Sequence, residues 1–206
     1  MALTTYAELK TSVISWSHRN DLDLLIDDFI ALAEAEMFKG KSHECLQLRD
    51  METTSTASLN AIELALPDNF QSMRSFRITG DSITDLQYKT PQDLYVRTGT
   101  GRPAYYTITS QLEFDVAPDE TYTAEMVYLK KPTGLSSSNT TNAVLTNHPD
   151  IYLFGALWAL FVHAVDDMQA QKYYMLFINA IDGANHENEE GQYAVAPYAR
   201  IQGATP

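Results

Sequence analysis

The chain has 206 residues, with 14 basic against 27 acidic side chains and a formal net charge of -13, a balance that opposes phosphate backbones and anionic lipid and argues against sequence-specific nucleic-acid binding. Its 45% hydrophobic share is that of a globular protein able to bury a sizeable core, as one domain or one domain with an insertion. The single cysteine, Cys45, cannot form an internal disulfide and fits synthesis in a reducing compartment, and "MALTTYAELK" has no basic segment leading into an apolar run, so no secretory signal is expected.

Residues 1–52 are expected to be helical. Thr5 and Glu8 spell a capping box, after which Tyr6, Leu9, Val13 and Trp16 recur on one helical face. Beyond a break at "HRNDLD", Ile26, Phe29, Ile30, Ala33 and Met37 repeat that period up to Gly40. Asp27, Asp28, Glu34 and Glu36 fall off the stripe. They read as a solvated helix face rather than a metal site, because no second ligand cluster accompanies them.

From 53 to 131 the period shortens to two. Ile62, Leu64 and Leu66 alternate before Pro67-Asp68 turns the chain, and Phe76 and Ile78 lead into a hairpin turn at Gly80-Asp81. Thr90, Pro91 and Asp93 start one short helical turn through Val96. Tyr106 and Ile108 with Leu112, Phe114 and Val116 form a second hairpin, and Tyr122, Ala124, Met126 and Tyr128 add a further strand. These are expected to be half-buried antiparallel strands.

A polar linker over 132–148 returns the chain to helix. The segment "NHPDIYLFGALWALFVHAV" then holds no Lys, Arg, Asp or Glu from Ile151 to Val165. A spanning helix needs about 20 apolar residues, and this run is closed by Asp166-Asp167 with no Lys/Arg cluster to orient it, so no membrane anchor is expected. Asn147 or His148 as cap, Pro149 at the first helical position and Asp150 in the first turn start a water-soluble helix. A helix apolar on all sides must be buried on all sides, by this chain or by other subunits. Gly155, Ala156 and Ala159, with Tyr152, are the candidate strip for close packing against another subunit. Tyr174, Phe177, Ile178 and Ile181 mark a last amphipathic helix, expected to end at Gly183, within a C-terminal helical part over 149–190. The fold class is therefore α+β, a helical bundle with an inserted antiparallel β domain. Residues 191–206 read as an extended tail carrying Tyr193, Val195, Tyr198, Arg200 and Ile201.

The residues offer little chemistry. His43 and Cys45 lack a third partner for nucleophilic catalysis. His163 is spaced to be satisfied by Asp166 or Asp167, and His18 by Asp21. "GTGRP" at 99–103 lacks the helix a dinucleotide fingerprint requires, and "SSS" at 136–138 lacks a nucleophile elbow. No catalytic residues, metal ligands or cofactor are assigned. An unrecognised hydrolase using His163 or Asp167 is one alternative, and a soluble carbohydrate- or peptide-binding module using Tyr105, Tyr106, Tyr122 and Tyr128 is another.

Six pieces, in order, carry a family resemblance: "TYAELKTSVISWSHRNDL" at 5–22, "IDDFIALAEAEM" at 26–37, "LALPDNFQSMRSFRI" at 64–78, "TPQDLYV" at 90–96, "GRPAYYTI" at 101–108 and "HPDIYLFGALWALFVHAVDD" at 148–167. Together they resemble the head-tail adaptor, or head-completion, proteins of tailed bacteriophages. The resemblance implies a virion structural protein at the head-tail junction, made in the bacterial host cytoplasm and without enzymatic activity. It implies a helical base with a β insertion, assembled with copies of itself as a dodecameric ring beneath the portal protein. DNA passes through the lumen without sequence-specific binding, and a tail or nozzle protein attaches below; a tail-tube or tail-completion protein is the related structural alternative. Net acidity suits a conduit that does not grip DNA, and an all-round apolar helix suits a ring of heterologous contacts. Residues 191–206, with Tyr193, Val195, Tyr198, Arg200 and Ile201, are the candidate portal-docking tail.

Overall fold

The computed structural model describes residues 3–39, 45–80 and 82–192. It divides the chain into two compact units. Asp50–Pro132 forms one, and the segments through Arg49 and from Thr133 form the other.

The helical unit begins with α1 (Tyr6–Ser17). Its capping box forms, the Glu8 N–H donating to Thr5 Oγ1 at 3.3 Å and the Thr5 N–H to Glu8 Oε2 at 3.0 Å. His18 closes the helix in the left-handed region at φ 54. A 3-10 turn (Asn20–Leu25) leads into α2 (Ile26–Met37). The stripe read from the sequence is its buried face: Ile26, Phe29, Ile30, Ala33 and Met37 are all buried.

The expected linker over 132–148 contains a short helix, α3 (Ala143–Asn147), because the Asn142 side chain accepts the Leu145 N–H at 2.9 Å and caps it. Next comes α4 (Pro149–His163), with Pro149 in its first turn and no side-chain cap from His148. A tight turn joins it to α5 (Asp167–Gln192), which runs past Gly183. An interior glycine costs about 1 kcal/mol. Burial of Phe177, Ile181, Ala184 and Asn185 on either side of Gly183 outweighs that cost.

The β unit contains two four-stranded sheets around one core. In the first the order is β1 (Glu52–Leu59), β8 (Tyr122–Lys130), β3 (Phe70–Thr79) and β4 (Thr84–Asp85), all antiparallel. In the second it is β2 (Glu63–Leu64), β7 (Leu112–Phe114), β6 (Tyr105–Ile108) and β5 (Gln87–Tyr88). The hairpins expected around Gly80 and between Tyr106 and Phe114 are present as β3/β4 and β6/β7. One pairing departs from the antiparallel expectation. β5 runs parallel to β6 because the chain from 89 to 104 turns at Thr90–Asp93 and returns in the same direction. Alternate residues of β8 (Tyr122, Ala124, Met126, Tyr128) join Phe76 and Ile78 of β3 and Tyr106, Leu112 and Phe114 of the second sheet in the shared core. Phe76 links the sheets directly, its ring 5.1 Å from that of Tyr106 and 5.7 Å from that of Phe114.

Candidate functional site

The apolar helix α4 is covered largely by its own chain. Ile151, Leu153, Leu157 and Leu160 are buried, and α2, α5, α1 and α3 all contact the helix. Phe154 meets Trp16 of α1 and Tyr173 of α5, while Trp158 stacks on Phe177 at 6.2 Å and Phe161 on Tyr173 at 5.3 Å. The four residues expected to face another subunit, Tyr152, Gly155, Ala156 and Ala159, lie inside this packing. A Cβ on Gly155 would sit 2.8 Å from Ala33 Cβ and 2.9 Å from Phe177 Cε2. The close approach that the small residues allow is therefore made to α2 and α5 of the same chain.

A polar network sits beside that strip. The Tyr152 hydroxyl donates to Glu34 Oε1 at 2.9 Å and accepts from Asn142 Nδ2 at 2.7 Å, and the Leu135 N–H donates to the same Glu34 oxygen at 2.7 Å. Glu34 thus leaves the solvated face on which its spacing had placed it and ties the segment before α3 to two helices. Desolvation raises the Glu34 carboxyl pKa against the lowering effect of the Leu135 and Tyr152 hydrogen bonds. Burial and the neighbouring carboxylate raise the pKa of the Tyr152 phenol, which stays protonated. Sequence spacing gives no hint of this arrangement, since Leu135 and Asn142 lie in the polar segment and Tyr152 in the apolar helix, all more than 100 positions from Glu34. A second tie is made by Asn185 of α5, whose side chain accepts the Gln47 N–H at 2.8 Å and donates to the Cys45 carbonyl at 3.1 Å.

Asp27 and Asp28 are exposed and match a solvated face, Asp27 pairing with Lys10 at 2.7 Å. Glu36 does not, its side chain being mostly buried where it pairs with Lys39 at 2.6 Å. Two expected histidine contacts are corrected. Asp21 is taken by Arg19, at 2.8 Å through both carboxylate oxygens, in place of His18. His163 packs its ring 5.6 Å from that of Phe29, and Asp166 caps α5 by accepting the Gln169 N–H at 3.1 Å.

The turn between α4 and α5 has the two hydrogen bonds of a Schellman motif. The Asp166 N–H donates to the Phe161 carbonyl at 3.0 Å and the Val165 N–H to the Val162 carbonyl at 3.2 Å. Val165 consequently adopts a left-handed conformation at φ 58. At this end of the helical unit Leu24, Val162, Val165 and Met168 are exposed.

In the β unit, Tyr106, Tyr122 and Tyr128 are buried in the core, which leaves Tyr105 as the one member of the expected four-tyrosine recognition surface that reaches solvent. The Tyr122 hydroxyl bonds Asp119 at 2.6 Å, and that bond, with smaller contributions from burial, pushes its pKa up to about 12. Beside Tyr105 a groove of about 420 Å³ is lined by Lys89, Tyr95, Arg97 and Asp115. Asp115, 3% exposed, pairs with Arg97 Nη2 at 2.6 Å and accepts the Ala104 and Tyr105 N–H groups at 2.9 and 3.1 Å. Its carboxylate holds the chain's entry into β6, a folding role.

Cys45 donates to the Phe38 carbonyl at 3.4 Å, and His43 lies outside the described residues. Tyr193, Val195, Tyr198, Arg200 and Ile201 lie outside them as well. Among the described residues no group of three or more His, Cys, Asp or Glu side chains is placed to hold a metal ion, and no helix is long and apolar enough to cross a membrane. The buried polar groups named above tie chain segments together, as buried polar groups in folded proteins generally do. The chain belongs to the SU10 adaptor protein family, whose model matches residues 4–200. This is a family of phage head-tail adaptors, which are virion structural proteins and not an enzyme class. No curated protein matches the chain.

Proposed function

We propose that the chain assembles as a ring, a dodecamer in the adaptor pattern, that joins the portal protein to the tail and forms part of the DNA conduit used at genome ejection. The observation that carries this reading is the family match over residues 4–200. The charge supports it: a net charge of -13 gives a lumen little hold on phosphates, so DNA passes without being gripped. In this reading the helices form the ring body and the β unit bears tail contacts. The segment 191–206, with Tyr193, Val195, Tyr198, Arg200 and Ile201, docks to the portal.

Mass measured in solution by light scattering, alone and mixed with the portal encoded by the same genome, tests the reading. A ring of adaptor on portal is expected, and deletion of 191–206 is expected to weaken its binding. A compact monomer that ignores a correctly assembled portal refutes the adaptor role, while full binding by the deleted chain refutes only the role of the tail.

A further inference from the structure

The turn between α4 and α5 keeps a residue that its backbone disfavours. Val165 occupies the position just past a helix where left-handed geometry selects Gly or Asn, yet it is β-branched and sits at φ 58. Burial does not compensate. Val165 is 82% exposed, Met168 81% and Val162 54%. The contact of Phe29, in the first turn of α2, with His163, the last residue of α4, brings the start of α2 to the same end, where Leu24 is 94% exposed. An apolar side chain held at a strained, solvent-facing position serves neither local geometry nor solubility. A contact with another molecule supplies the missing reason for its presence.

Charge indicates which molecule. Exposed Asp166 and Asp167 border the cluster, and no Lys or Arg lies between Val162 and Gln171. In an isologous contact a second copy would set its own Asp166 and Asp167 against this pair. The complementary surface is an apolar socket rimmed by Lys and Arg. The 26 residues of α5 separate this turn from the C-terminal segment by about 39 Å. If that segment meets the portal, the turn is available to the neighbour on the other side.

We propose that Val162, Val165 and Met168 form an apolar knob that seats in a basic-rimmed socket on the tail-side protein of the junction, a tail contact additional to those of the β unit. The proposal rests on the adaptor reading and on portal docking through the C-terminal segment.

The test uses portal–adaptor complexes offered the purified tail-side protein of the same virion. It compares wild type with Val165→Gly and with the double variant Val162→Ser, Met168→Ser. Val165→Gly relieves the left-handed strain, so its thermal midpoint is expected not to fall and its portal binding to match wild type. Affinity for the tail-side protein is expected to drop about tenfold or more in both variants, and wild-type affinity to weaken with salt. Tail binding undiminished in either variant overturns the knob and leaves the adaptor reading intact. Loss of portal binding or of ring mass in the variants assigns the turn to the portal or to a second copy, which also overturns it. A wild-type chain that fails to bind portal refutes the adaptor reading, and the proposal with it.

Discussion

The Tyr152 hydroxyl donates a 2.9 Å hydrogen bond to Glu34, joining α4 to α2 across 118 positions of sequence. The same hydroxyl accepts from Asn142, which also caps α3 through its oxygen. Tyr152→Phe keeps the ring and removes both bonds, leaving a half-buried carboxylate short of one donor. The expected cost is about 1–3 kcal/mol, read as a lower urea midpoint at unchanged slope. A midpoint equal to that of wild type would show that the network does not stabilise the helical unit.

Glu34 also gives the fold a pH dependence of unusual sign for a carboxylate. Its folded pKa is raised, chiefly by desolvation, so the folded chain holds this proton more tightly than the unfolded chain does. The stability linked to the group is therefore fully present below the unfolded carboxyl value and is lost as pH rises through the folded one. Glu34→Gln keeps an acceptor oxygen for Leu135 and Tyr152 and cannot ionise. The stability of wild type relative to this variant is expected to increase as pH falls toward the ordinary glutamate value of about 4.3. A difference that is flat with pH, or that shrinks on acidification, contradicts the assignment.

Periodicity made the helices legible where one face is buried. Tyr6, Leu9 and Val13 in α1 and Ile26 to Met37 in α2 mark their faces at the helical repeat and are buried there. The strand β8 was equally legible, because Tyr122, Ala124, Met126 and Tyr128 alternate and line the core. The strand β1 was not assigned: "ETTSTASL" buries only Leu59 fully, so it has no apolar alternation to detect, and its signal is threonine-rich β propensity. Gly183 looked like a stop because local preference disfavours it, whereas burial of α5 on both sides carries the helix through. The Glu34 network was hidden for another reason. Its donors, the Leu135 N–H in the polar segment and the Tyr152 hydroxyl in α4, lie more than 100 positions away, and no local pattern encodes a long-range hydrogen bond. The family resemblance covered what spacing could not supply, and the family match over residues 4–200 bears it out.

In the β unit, Asp115 and Arg97 differ in what each leaves behind when removed. Arg97 is half exposed and bonds one carboxylate oxygen, so solvent can replace it, and Arg97→Ala is expected to cost about 1 kcal/mol or less. Asp115→Ala strips the Ala104 and Tyr105 N–H groups of their acceptor, with an expected cost of about 2–3 kcal/mol. Asp115→Asn restores part of it, because the amide oxygen can accept the same two donors. Hydrogen exchange at the Ala104 and Tyr105 amides separates these cases. Fast exchange is expected in the Ala variant and intermediate exchange in the Asn variant, and protection retained in the Ala variant would show that Asp115 does not hold this segment.

Two glycines in neighbouring helices should respond oppositely to the same methyl group. In an open helix Gly→Ala gains about 1 kcal/mol, and Gly183 is such a site, with nothing within 4 Å of an added Cβ. At Gly155 the new carbon would lie 2.8 Å from Ala33 Cβ and 2.9 Å from the Phe177 ring. Neither neighbour can yield easily: an alanine has no rotamer to change, and Phe177 is fully buried and stacked on Trp158. Overpacking costs about 1–3 kcal/mol, which exceeds the propensity gain, so Gly155→Ala is expected to lower the unfolding midpoint while Gly183→Ala raises it. Both tryptophans lie in the helical unit, and Trp158 stands beside the site, so fluorescence-detected urea unfolding reads the pair directly. If Gly155→Ala proves as stable as Gly183→Ala, then α4 does not approach α2 and α5 as closely as its small residues allow.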